Sequence, residues 1–172
     1  MLGGQSFSQP IYATDSSLVS FFSVTPIENI EAFNSACTSL LNVTKREITF
    51  RIPIAGFQFE KSLMQEHFNE SYMETEKFPY ATFNGKLSDT LDLTKDTIYN
   101  VTATGMMNIH GHDRAESLNG LMVCHEGRAT LICDFAVALS DYGIKVPKVV
   151  FANIAEVIEV KTYFEFMPYE PK

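Results

Sequence analysis

From Arg128 to Ser140 the chain alternates apolar and polar residues, and this pattern constrains the fold more than any other feature. The odd positions are Ala129, Leu131, Cys133, Phe135, Val137 and Leu139, and the even ones include Arg128, Thr130, Asp134 and Ser140. Successive side chains of a β-strand point to opposite faces, so strict alternation marks a strand with one buried face. Glu156 to Phe166 repeats the pattern, with Ile158, Val160, Phe164 and Phe166 set against Glu159, Lys161 and Glu165. Ile48, Phe50, Ile52 and Ile54 alternate with Thr49, Arg51 and Pro53. Tyr99, Val101, Ala103, Met107 and Ile109 alternate with Asn100, Thr102, Thr104 and Asn108.

Turn chemistry joins these runs. Glu126-Gly127 sits between two alternating segments, and glycine takes the positive φ that a two-residue hairpin loop requires. A hairpin closed there sets His125 against Arg128, Met122 against Leu131, Cys124 against Ala129 and Gly120 against Cys133. Cys124 and Cys133 then share a face without being partners. Three cysteines (Cys37, Cys124, Cys133) cannot all pair within the chain, and none has a Cys-x-x-Cys spacing, so buried free thiols are expected.

One helix interrupts the strands, over 62–73. Leu63, Met64, His67, Phe68 and Tyr72 recur at helical spacing opposite Gln65, Glu66, Asn69 and Glu70. Ser62 is its expected N-cap, with Gln65 three residues on as in a capping box. A further short helical turn is allowed over 149–154. Ile30, Phe33, Cys37 and Leu40 also fit a helix by spacing, although Asn34, Ser35, Thr38 and Ser39 are poor helix formers. Counting runs gives about eight strands at hairpin spacing without βαβ repeats, which predicts an all-β fold, an eight-stranded antiparallel barrel. A chain of 172 residues with no linker or repeat makes one domain, taken as 11–172. Residues 1–10 are expected to be a disordered or artificially appended lead-in.

Charge excludes some partners. Thirteen basic and 21 acidic residues give a net −8 with no Lys/Arg cluster, so a nucleic-acid partner is not expected. No run of about 18 apolar residues exists, so no transmembrane helix is expected. The first nine residues have neither a basic start nor an apolar middle, unlike a signal peptide.

The stretch Phe57-Gln58-Phe59-Glu60-Lys61-Ser62-Leu63-Met64-Gln65-Glu66-His67-Phe68-Asn69-Glu70-Ser71-Tyr72-Met73-Glu74, followed by Lys77-Phe78-Pro79-Tyr80-Ala81-Thr82-Phe83, resembles the YceI-like family of lipocalin-like, lipid-binding barrels. The second piece is similar to that family's aromatic-Pro-x-x-x-Phe signature entering a strand. Tyr99 through Gly111 resembles its next landmark, a strand ending in Gly, and Phe135 through Asp141-Tyr142-Gly143-Ile144 the last. After Gly111 this chain carries His112-Asp113-Arg114, where the family more often has a small apolar residue and Thr. The resemblance covers roughly 11 to 167. It implies a lipocalin-like barrel around a pocket for a polyisoprenoid or fatty-acyl chain, in a periplasmic or secreted bacterial protein. It also implies that 27–41 is strand, against the helical spacing.

The expected function is to bind, sequester or carry an apolar lipid, with no cofactor beyond that ligand and no catalysis. Phe50, Ile52, Ile54, Phe83, Met107 and Ile109 are expected to line the pocket, with Phe135, Val137, Val160 and Phe164 opposite them. Leu63, Met64, Phe68 and Tyr72 would shape its mouth. The bland alternative is a dry, filled barrel acting as an interaction module, since most apolar strand faces are core. A third reading is an enzyme on a small apolar substrate using His67 or His110/His112. His110 and His112 share a face if the strand continues and could contribute to a metal site, but Gly111 between them suggests a turn, no further ligand is evident, and no metal is expected. His67 on the helix's apolar face reads as a hydrogen-bonded core histidine. A homodimer is left open.

Overall fold

The computed structural model describes residues 11–146 and 154–170. Its strands are β1 (Ile11–Val24), β2 (Asn29–Asn34), β3 (Thr38–Asn42), β4 (Glu47–Pro53), β5 (Gln58–Phe59), β6 (Tyr80–Leu87), β7 (Thr97–Ile109), β8 (His112–His125), β9 (Arg128–Ala138) and β10 (Val157–Pro168). β2 and β3 lie end to end along β1, pairing with Val19–Val24 and with Ile11–Ala13 respectively. Together they form one stave. Each following long strand pairs antiparallel with its predecessor, and β10 returns to β1, from Tyr12↔Pro168 to Phe22↔Glu159. The result is a closed eight-stave antiparallel barrel, as expected, with the two-residue β5 added beside β2.

The split stave explains why its helical spacing misleads. Ile30, Ala32 and Asn34 are buried along β2, whereas Ser39 and Leu41 are buried along β3. The inward phase switches from even to odd positions across Ser35-Ala36-Cys37, and this phase slip imitates a period longer than two. Phe33 and Leu40, which the helical spacing puts on the apolar face, are 42% and 50% exposed instead. Asn34 makes the break. Its Nδ2 donates to the Pro53 carbonyl at 2.8 Å, and its Oδ1 accepts from the Ala36 N–H at 2.9 Å. A buried amide so satisfied costs little and ends the ladder at a defined residue. Gly56 is needed beside it, because a Cβ there would lie 2.8 Å from Asn34 Oδ1.

Glu126 and Gly127 both take positive φ (49° and 75°), and the β8–β9 register follows as expected: His125↔Arg128, Cys124↔Ala129, Met122↔Leu131, Gly120↔Cys133. His110 and Gly111 form a second such turn, with φ of 52° and 73°. The strand therefore does not continue from His110 to His112.

The helix α1 (Ser62–His67) continues as a π-helical turn over Phe68–Tyr72. Lys61, not Ser62, holds the N-cap position, and no side chain caps it. The Gln65 amide oxygen reaches back past the helix start and accepts from the Phe59 N–H at 3.1 Å. The π turn winds in one extra residue, with the Met73 N–H donating to the Phe68 carbonyl at 2.9 Å, and this brings Met73 inward. Leu63 is left 60% exposed, and His67 is exposed rather than a core histidine. None of the described helices is long and apolar enough to cross a membrane. The helical turn considered over 149–154 lies, apart from Ile154, outside the described residues, as do residues 1–10.

Candidate functional site

Strand register fixes the two ends of the barrel. Tyr12, Leu41, Met122, Cys124, Ala129 and Phe166 lie at one end, all buried, and Leu91 and Leu93 from the β6–β7 connection are buried in the same core. That end is packed shut. The helix, the β1–β2 and β4–β5 connections and the β7–β8 turn lie towards the other.

Between these ends the interior holds three adjoining apolar cavities. The innermost, about 70 Å³, is lined by Phe50, Phe83, Met107 and Phe164 among others. The middle one, about 120 Å³, takes Ile54, Val137, Val160 and Phe68. Ile52, Ala81, Ile109 and Phe135 line both, so they form the wall between the two. The outermost, about 60 Å³, is lined by Met64, Tyr72, Ile30 and Phe59, and shares Phe21, Phe68 and Met73 with the middle one. Each void is smaller than the roughly 150 Å³ apolar cavity that stays dry and accepts a benzene-sized guest. The interior is thus neither solid nor an open tube.

Thirteen of the fourteen residues expected to line a pocket do line these cavities; Leu63 lines none of them, because the row facing the barrel is Met64, Phe68 and Tyr72, one position further on. Of the aromatic cluster at the mouth, the sequence reading named Phe68 and missed its three partners. Phe21, Phe57, Phe59 and Phe68 meet with ring centroids 4.9 to 5.8 Å apart. Phe57 and Phe59 flank Gln58 in strand-like alternation, the one local signal that could have marked them.

Among the described residues, no charged side chain lines any of the three cavities. Thr162 spends its hydroxyl on the Cys133 carbonyl at 2.8 Å. Burial pushes the Cys133 thiol up to about 11 and the Cys37 thiol up to about 12, and raises Cys124. All three are unpaired and buried. At pH 8 the Cys133 and Cys37 thiols are about one-thousandth thiolate or less, and the thiolate is the reactive form. Ellman's reagent is therefore expected to find no accessible thiol in the native protein at pH 8, and three after unfolding. Rapid release of one equivalent from native protein would contradict this burial.

The histidines considered for catalysis or metal binding lie elsewhere. His110 is 7% exposed, with Nδ1 3.2 Å from the Tyr142 carbonyl and Nε2 2.7 Å from Glu74 Oε2. Its ring meets Phe78 edge-on at 4.6 Å. His112 Nδ1 lies 2.8 Å from the His110 carbonyl, and its ring stacks on His110 at 5.9 Å. These contacts tie the β7–β8 turn to Glu74, two residues past the helix, and to Tyr142 in the 3-10 turn that follows β9. His67, His110 and His112 line none of the three cavities, and no group of three or more His, Cys, Asp or Glu among the described residues is placed to hold a metal. Burial, then the nearby Glu116 charge, pushes the Tyr142 hydroxyl up to about 12.

A closed antiparallel barrel with a helix across one end and an apolar, partly empty interior defines the class of protein. Residues 12–166 match the profile of the YceI-like domain, and the chain belongs to that family. Solved structures with the same fold include BcnA of Burkholderia cenocepacia, at 13% identity and TM-score 0.73, over 87% of this chain and 95% of that one. A polyisoprenoid-binding domain from Saccharophagus degradans, implicated in plant cell wall breakdown, matches at 14% identity and TM-score 0.75, over 92% and 98%. The YceI protein of Campylobacter jejuni matches at 11% identity and TM-score 0.59, over 99% and 91%. Comparison with functionally curated proteins gave no match.

Proposed function

We propose that this barrel binds an apolar lipid, a polyisoprenoid or fatty-acyl chain, with its tail along the row of cavities, and that it sequesters or carries the lipid without chemically altering it. The observation that carries this reading is the row itself: three adjoining voids, with no charged lining residue among those described, running from the packed end towards the helix. A folded barrel with no guest would gain by filling such space with side chains, since empty volume forfeits dispersion contacts. Burial of about ten methylenes is worth roughly 8 kcal/mol gross before ordering costs, so useful affinity needs no strong polar contact. The Saccharophagus domain of like fold is described as polyisoprenoid-binding, which favours an isoprenoid among apolar chains. Ile52, Ile109 and Phe135 line both the innermost and the middle cavity, so a chain filling both passes them, and flexible Met64, Met73 and Met107 nearby suit an adaptable wall. In line with its family resemblance, we place the protein in an exported bacterial compartment.

Protein purified from its own host should carry a lipid at close to one per chain in native mass spectrometry, with an apolar chain recovered by organic extraction. A mass equal to the bare polypeptide, unchanged after incubation with isoprenoid and acyl lipids, would defeat the proposal.

A further inference from the structure

The cavities provide for a tail but not for a head. The packed end is sealed by fully or nearly buried side chains such as Leu41, Leu93, Met122 and Phe166. A polar headgroup drawn into the row would meet no charged partner among the described lining residues, and desolvation without one is costly. An amphiphile therefore enters tail first and leaves its polar end at the helix side.

A surface groove of about 440 Å³ lies at that side. It shares Ile30, Phe59 and Met64 with the outermost cavity, so its floor is that cavity's wall. Its charged side chains are Glu28, Glu31, Glu60 and Lys61. Lys61 Nζ is committed to Glu28 Oε1 at 3.0 Å, and the carboxylate partner raises the ammonium's pKa. Glu31 and Glu60 form no ion pair among the described residues. An anionic head seated here would face an excess of carboxylates on a chain already carrying −8.

We propose that this groove seats the polar end of the lipid and selects against negative charge, so that the occupant is an amphiphile with an uncharged headgroup rather than a prenyl phosphate or a free fatty acid. This rests on the tail-binding reading above and is tested separately from it. Farnesol and farnesyl monophosphate share one tail and differ only in the head. In equilibrium dialysis at low salt, farnesol should bind about tenfold or more tighter than the phosphate. The gap should shrink at 0.15 M salt, where the screening length falls to about 8 Å. The triple variant Glu28→Gln, Glu31→Gln, Glu60→Gln should close most of the gap by strengthening phosphate binding, leaving farnesol unchanged. A control at the packed end, Glu47→Gln with Asp89→Asn and Glu126→Gln, removes the same number of charges and should leave the gap intact. Equal binding of the two ligands to the unsubstituted protein overturns the proposal while sparing tail binding. So does a gap that survives the groove variant or vanishes in the control. If neither ligand binds, the tail-binding reading itself fails and takes this one with it.

Discussion

Ala81→Leu should weaken uptake of a long apolar chain about fiftyfold while the barrel stays folded. Ala81 sits in β6 opposite Ile52, is 9% exposed, and belongs to the wall shared by the innermost and middle cavities. Leucine adds three carbons directed at existing voids of about 70 and 120 Å³. Overpacking a tight core costs about 1–3 kcal/mol, and space already present puts this substitution at the low end. The guest loses more. Displacing about three methylenes at about 0.8 kcal/mol each removes about 2.4 kcal/mol of binding, about fiftyfold in affinity. The innermost cavity is also cut off from the mouth. Native mass spectrometry after lipid incubation reads the effect, and circular dichroism confirms that the strands persist. Uptake at the original stoichiometry by a folded Ala81→Leu protein would mean the chain does not pass this neck.

Residues with an undisturbed local period were legible from sequence. β9 and β10 alternate without interruption, and their inward residues Leu131, Val137, Phe164 and Phe166 are buried as the pattern requires. The Glu126-Gly127 turn fixed the β8–β9 register, because a two-residue loop with two positive φ values admits one pairing. Periodicity failed where the backbone slips phase. The stave broken at Asn34 mimics a helix, and the π turn after His67 moves Met73 inward. Both events depend on partners distant in sequence, Pro53 and Gly56 in one case and the phenylalanine cluster around Phe21 in the other. The pocket-lining strand residues were legible for the same reason as the strands. The charged groove was not, since Glu28, Glu31, Glu60 and Lys61 are brought together by the β2–β5 pairing and read singly as solvated surface.

Phe164→Ala should have the opposite signature, costing stability without blocking the path. The ring is fully buried, packs on Phe50 at 4.8 Å and on Phe166 at 6.4 Å, and forms part of the innermost cavity wall. Truncating a buried phenylalanine costs about 3–5 kcal/mol, from lost transfer energy plus the void left behind. Against a total of about 5–15 kcal/mol for a domain, that is a large fraction. Guanidinium unfolding should show the midpoint falling at nearly constant slope, and the melting temperature dropping by about 10 °C. The new void adjoins one already present, so bound lipid can occupy part of it, and the loss should be smaller for lipid-loaded protein than for stripped protein. A solid core predicts equal losses in the two preparations. A loss below about 1 kcal/mol in both would mean the ring is not held in a packed wall at all.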